Sequence, residues 1–339
     1  MNEMELVSIA EAMVAEGKGI LAIDESAGTI AKRFKAINIE STEENRRAYR
    51  EMLLTTAHLG KHISGAILYD ETIRQSTRNG VSFVKVMQDA GIIPGIKVDM
   101  GAHPFAGHPG EKITEGLDGL RQRLEEYRAL GARFAKWRAV ITIGENIPTT
   151  SCVDANAHAL ARYAALCQEA DIVPIVEPEV LMDGAHSLDE SFEVTEATLR
   201  ALFNQLYEQN VLLEGTILKA SMVISGSEAT HRASVQEVAE ATVQCLLNSV
   251  PAALGGVVFL SGGQTDEEAT AHLNAMNQLA DFPWPLTFSY GRALQAPSLK
   301  VWGENPAANV AAAQKKLAHR ARMNGLAAMG QYEESFEAA

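Results

Sequence analysis

Ile172-Val173-Pro174-Ile175-Val176-Glu177-Pro178-Glu179 is a short apolar, β-branched run that ends in two carboxylates. A helical pattern, Ala155–Glu169, precedes it, and another, Leu188–Gln209, follows. A strand between helices implies parallel strands joined by crossovers. The same unit recurs in both directions along the chain. Strands are expected near Gly19–Glu25, Ser64–Tyr69, Gly95–Asp99, Phe134–Val140, Val173–Glu179, Gly215–Ser221, Gly256–Ser261 and Leu286–Ser289. Helical patterns at Glu43–Leu59, Glu115–Leu130, Val235–Ser249 and Glu267–Leu279 fill other intervals. Eight such units predict an α/β fold of the closed (β/α)8 TIM barrel type, with an open doubly wound sheet as the alternative. A length of 339 residues fits one such barrel.

No low-complexity linker or short-period repeat divides the chain. One catalytic domain over 1–329, with flanking helices at both ends, is therefore expected. The last helix is expected to be capped by Asn305, to start at Pro306 and to end before Gly325. The polar stretch 330–339 reads as a short mobile tail.

A formal net charge of −14 argues against nucleic-acid and anionic-membrane partners, but leaves room for a local cationic pocket. The three cysteines, Cys152, Cys167 and Cys245, lack metal-ligand spacing and read as reduced thiols of a cytoplasmic protein. The acidic N-terminus does not read as a signal peptide, and no apolar stretch is long enough to span a bilayer.

Parallel strands covered on both faces ordinarily read as apolar runs. Here charges sit in or just after most of them: Asp24 and Glu25, Lys97 and Asp99, Lys136 and Arg138, Glu177 and Glu179, Lys219, and Arg292. Three of these pairs are two residues apart, so each can share a strand face. If that face is the interior, the charges converge at the C-terminal mouth, where barrel enzymes keep their active sites. Buried ion pairs kept only for support would add little net stability for their desolvation cost. After the seventh strand, Ser261-Gly262-Gly263-Gln264 offers backbone N–H groups and a hydroxyl; after the eighth comes Tyr290-Gly291-Arg292. These are the loops that usually hold phosphate in such barrels. The histidines are scattered without ligand spacing, and neither a Walker loop nor a dinucleotide fingerprint is present. No metal and no cofactor is expected.

Lysine, carboxylate and phosphate-binding groups together suit Schiff-base chemistry. Desolvation and crowding by other cations disfavour an ammonium, which makes a barrel lysine a usable nucleophile. Attack on a ketone gives a carbinolamine, and loss of water gives an iminium that draws electrons from the neighbouring carbon–carbon bond. Dehydration needs an acid/base, and cleavage needs a base for the hydroxyl proton; Glu177, Glu179 and Asp24 are available. The residues alone leave Lys97, Lys136 and Lys219 open as nucleophile, with the apolar context Thr216-Ile217-Leu218 favouring Lys219 modestly.

Seven segments closely resemble the class I fructose-1,6-bisphosphate aldolases, within a likeness that runs from about Ser8 to Gly325. They are Leu21-Ala22-Ile23-Asp24-Glu25-Ser26, Gly95-Ile96-Lys97-Val98-Asp99, Phe134-Ala135-Lys136-Trp137-Arg138, Ile172 to Glu179, Leu213 to Lys219, Phe259 to Gln264 and Leu286 to Leu294. The resemblance implies that Lys219 forms the Schiff base and that Glu177 transfers protons during dehydration, supported by Lys136 and Glu179. It implies that Asp24 takes the carbon-4 hydroxyl proton. Ser261, Gly262, Gly291 and Arg292 would hold the 1-phosphate; Ser26, Arg33, Lys97 and Arg138 would serve the 6-phosphate end. Its partners would be phosphorylated ketoses and trioses, and its assembly a homotetramer. A related aldolase preferring sedoheptulose 1,7-bisphosphate or fructose 1-phosphate, or a non-catalytic scaffold, are the rival readings.

Two departures from the family pattern stand out. Animal members end in a tyrosine that assists enamine protonation, whereas this sequence ends Phe336-Glu337-Ala338-Ala339, and Tyr332 aligns only with the start of the tail. Met100 also stands where a lysine is common.

Overall fold

The computed structural model describes residues 1–338. Eight parallel strands form the core: β1 (Gly19–Ala22), β2 (Ile63–Leu68), β3 (Ile93–Lys97), β4 (Phe134–Ile141), β5 (Val173–Val180), β6 (Ile217–Ala220), β7 (Gly256–Phe259) and β8 (Leu286–Tyr290). Each pairs with the next in sequence, and β8 pairs back to β1, which closes a TIM barrel and rules out the open sheet. Asp24, Asp99 and Ser261 each fall two residues beyond the end of their strands, at the C-terminal mouth.

Side-chain alternation sorts each strand into two faces. Leu21, Leu68, Trp137, Val176, Leu218 and Phe288 pack outward beneath the helices. Ile20, Ile67, Phe134, Ile175, Ile217 and Val258 form a second cluster inside the barrel. Phe134 fills its base because β2 and β3 carry glycine there: a Cβ at Gly95 would lie 2.2 Å from the Phe134 ring, and one at Gly65 2.9 Å. The helix Glu3–Met13, capped by Asn2, closes that end with Leu6, Ala10 and Met13. Continuing up the same interior face by steps of two, Ile175 gives way to Glu177, Ile217 to Lys219, and Phe134 to Lys136. The floor is apolar and the mouth is charged.

The outer helices begin where local chemistry allows. Ser187, Ser234 and Thr265 each accept from the N–H three residues on, and the glutamate there reaches back, so Leu188–Glu208, Val235–Ser249 and Asp266–Leu279 start with capping boxes. An antiparallel hairpin, Ala102–Pro104 with Lys112–Thr114, and a helix, Arg292–Glu304 with Pro297 inside it, were not anticipated. The last helix differs from expectation at both ends. Asn305 caps only a single turn, through Ala308, and the helix itself runs Val310–Ala327. Gly325 lies within it, since a Cβ there would meet the Gly17 carbonyl at 2.6 Å and the His62 ring at 2.8 Å. Gly325 serves close approach and does not terminate the helix.

The expected mobile tail has its last residue, Ala339, outside the described residues. Residues 330–338 are tied down: Tyr332 N–H donates to Asn274 Oδ1 at 2.9 Å, and Glu337 pairs with Arg320 and with His319. Polar composition suggested a free tail, but Arg320, itself buried, supplies a partner for Glu337 that local sequence does not reveal. No helix among the described residues is long and apolar enough to cross a membrane.

Candidate active site

Four side chains form a chain of charges across the barrel mouth. Lys136 Nζ, from β4, sits 2.7 Å from Asp24 Oδ2 beyond β1 and 3.4 Å from Glu177 Oε2 on β5. The other Glu177 oxygen, Oε1, lies 3.3 Å from Lys219 Nζ on β6. Lys136, Glu177 and Lys219 are all buried. Glu177 Oε2 is buried with no hydrogen-bond partner among the described residues, so it retains accepting capacity. Ser289 Oγ, on the interior face of β8, is likewise buried and unpartnered among them.

The electrostatics give these groups different characters. Burial alone would raise the Asp24 carboxyl, but Lys136, Lys219 and Lys97 outweigh it and hold it at about 2, below its ordinary 3.8. Burial likewise opposes charge on Lys136, yet Asp24, Glu177 and Asp99 carry its ammonium well above the ordinary lysine range. Lys136 is therefore a fixed cation. A carboxyl lowered on folding stabilises the fold fully above its unfolded value and loses that contribution as pH falls through the folded value. The stability difference between the protein and Asp24→Asn is expected to stay constant from pH 7 to about 4.5 and to shrink toward pH 2. Urea denaturation across that range checks this; a difference that grows on acidification would contradict it.

On one side of this cluster opens a cavity of about 540 Å³, lined by Ser26, Thr29, Lys97, Asp99, Met100 and Arg138 among others. Ser26 precedes the helix Ala27–Ala36, whose first N–H groups suit an anion. Lys97 Nζ is 2.6 Å from Asp99 Oδ1, and Arg138 pairs with Glu179. Burial opposes the Arg138 charge, but Glu179, Glu177 and Asp99 raise its guanidinium further above its ordinary range. Met100 is exposed on the rim.

At the seventh and eighth strand ends, Ser261 and Gly262 open one loop, and Gly291 precedes the helix Arg292–Glu304. Arg292 is exposed at that helix's first position. A Cβ at Gly291 would come within 3.9 Å of Arg33 Nη2. Arg33 is oriented by Glu25, which also binds Arg50 at 3.0 Å and Gln295 at 2.9 Å.

The structure thus gathers Asp24, Lys136, Glu177 and Lys219 into one cluster. Ser26, Lys97 and Arg138 border the large cavity. Two placements differ from the sequence reading. Glu179 pairs with Arg138, and among the described residues no ion pair links it directly to the Glu177 cluster, so any support it gives Glu177 acts at a distance. Arg33 stands beside Gly291, away from the Lys97 end, because Glu25 turns it that way. The Glu25 hub itself had only one sequence signal, a second carboxylate directly after Asp24.

Among the described residues no three His, Cys, Asp or Glu side chains cluster as a metal site. The family model for class-I fructose-bisphosphate aldolase matches residues 5–339. The probable class 1 fructose-bisphosphate aldolase of Xylella fastidiosa (strain 9a5c) is 67% identical over 333 residues, covering 98% of this chain and 100% of that protein. The fructose-bisphosphate aldolase of Dictyostelium discoideum is 53% identical, over 98% of this chain and 94% of its own. A solved structure of fructose-bisphosphate aldolase from Plasmodium falciparum, in ternary complex with TRAP and a small-molecule inhibitor, superposes with a TM-score of 0.96. It is 50% identical and covers 98% of this chain and 96% of that one. The chain belongs to the class-I fructose-bisphosphate aldolase family, metal-independent carbon–carbon lyases that act on phosphorylated sugars.

Proposed function

We propose that Lys219 Nζ attacks the carbon-2 carbonyl of fructose 1,6-bisphosphate, and that the site around it carries each proton transfer that follows. The observation that supports Lys219 is its company. Lys136 lies between two carboxylates, and Lys97 is held by both the side chain and the carbonyl of Asp99. Among the described residues Lys219 has one ion-pair partner, Glu177. Of the three amines it is the one beside an acid with accepting capacity that is not also held by a second carboxylate or by a backbone carbonyl among the described residues.

Glu177 takes a proton as the amine adds and gives one to the carbinolamine hydroxyl, which leaves as water. Lys136, a cation 3.4 Å away, stabilises the negative charge on Glu177 whenever the carboxylate has given up its proton. Asp24, ionised throughout the neutral range, accepts the carbon-4 hydroxyl proton as the bond between carbons 3 and 4 breaks. Glyceraldehyde 3-phosphate leaves, and the enamine, once protonated and hydrolysed, releases dihydroxyacetone phosphate. Ser261, Gly262, Gly291 and Arg292, with Arg33 beside them, hold the 1-phosphate. Ser26, Lys97 and Arg138 hold the 6-phosphate in the large cavity, where Glu179 orients Arg138. Tyr332 takes no part, since its hydroxyl is engaged with Glu337.

The net negative charge and the absence of a membrane-length helix among the described residues support a cytoplasmic protein. The assembly proposed, from the resemblance to the family alone, is a homotetramer. Turnover of fructose 1,6-bisphosphate is expected to exceed that of sedoheptulose 1,7-bisphosphate and fructose 1-phosphate, and to survive a chelator unchanged. Preference for either alternative ketose, or activity restored only by a divalent metal, would contradict the proposal.

A further inference from the structure

We infer that Asp99 is a positioning residue for the 6-phosphate: it fixes the two cations, Lys97 and Arg138, that face the large cavity. The inference rests on the proposal that these two hold that phosphate.

Asp99 is the first pair of oxygens past β3, and it is buried. Oδ1 pairs with Lys97 Nζ at 2.6 Å and accepts from Gly101 N–H at 3.1 Å. Oδ2 accepts from the Arg138 N–H of the neighbouring strand β4 at 3.2 Å. The Asp99 carbonyl accepts from Lys97 Nζ a second time, at 2.6 Å. Lys97 would otherwise swing on four methylenes, losing side-chain entropy on each binding event. Held from two directions by one residue, it meets the ligand in place.

Arg138 is addressed through its backbone. Its N–H is fixed to Asp99, its carbonyl accepts from Thr114 Oγ1 at 2.8 Å, and its side chain is turned by Glu179. The backbone bond sets where the guanidinium starts and Glu179 sets where it ends. Gly101, at a φ of +98°, bends the chain back so that its N–H reaches the carboxylate. Just before it, Met100 N–H donates to the Glu115 carbonyl at 2.8 Å, anchoring the segment after the hairpin. Asp99 thereby joins β3, β4 and the hairpin end in one carboxylate.

Replacing Asp99 with Asn keeps the shape, removes the charge, and presents an amide donor to at least one N–H. The ratio of kcat/KM for fructose 1,6-bisphosphate to that for fructose 1-phosphate, which lacks the 6-phosphate, is expected to fall roughly tenfold. The fall should appear mainly in the bisphosphate KM. Lys97→Met should lower the same ratio, and the double variant should lose less than the product of the two single losses, because both act on one interaction. If the Asn variant folds poorly, Asp99→Glu, which displaces the charge by one methylene, should move the ratio in the same direction. Equal losses on both substrates would overturn the inference. A normal ratio in Asp99→Asn beside a lowered one in Lys97→Met would overturn it while leaving the phosphate proposal standing. An unchanged ratio in Lys97→Met would remove that proposal, and the inference with it.

Discussion

Replacing Lys219 by Met is expected to lower kcat for fructose 1,6-bisphosphate by on the order of 10⁴-fold or more, with the fold intact. The size follows from the chemistry. Without an amine no iminium forms, and without an iminium the carbon 3–carbon 4 bond has no electron sink. The neighbours cannot substitute. Lys136 is kept charged by Asp24 and Glu177, and Lys97 is tied to Asp99. A methionine fills the same buried volume between β5 and β7, so thermal unfolding should change little. Steady-state kinetics with circular dichroism would check both halves. Residual activity within about tenfold of the unaltered enzyme would refute the role, because removal of the nucleophile cannot cost so little.

Glu177→Gln is expected to lower kcat by roughly 10²- to 10⁴-fold and to leave KM within a few-fold. Glu177 touches two amines and borders neither phosphate end, so substrate binding should survive. Two losses combine in kcat. The amide cannot carry the protons of carbinolamine formation and dehydration, and its NH₂ group faces an ammonium where a carboxylate stood. Lys136 keeps Asp24 at 2.7 Å, so the cluster remains in place while its proton carrier is gone. Imine formation, followed as the rate of reductive trapping, should slow along with turnover. A Gln variant that traps at the normal rate but turns over slowly would shift Glu177 from dehydration to a later proton transfer.

Much of this site was legible in the chain because parallel barrels impose a simple rule. Interior positions recur every two residues, so Lys136 and Arg138, or Glu177 and Glu179, had to share a face, and strand polarity placed them at the mouth. The glycine-containing segments after the last two strands were readable for the same reason. What local pattern could not supply was partner choice. That Glu179 serves Arg138, or that Glu25 turns Arg33 toward Gly291, depends on the barrel's stagger, which no single segment encodes. The end of the last helix failed similarly. Gly325 carries the usual signal of a stop, yet the approach of Gly17 and His62 explains it. The helix Arg292–Glu304 was hidden by Pro297, which lacks the N–H a helix interior uses. Asp99 was seen as a charge, but its three-way contact needed the neighbouring strand and Gly101.

The account stands on one covalent bond. Incubation of the enzyme with dihydroxyacetone phosphate and borohydride should reduce the imine and leave the triose phosphate fixed to the protein. Proteolysis and mass spectrometry should then find the adduct on the peptide that contains Lys219, and Lys219→Met should abolish it. An adduct mapped to Lys97 or Lys136, or no adduct under conditions of full turnover, would contradict the mechanism.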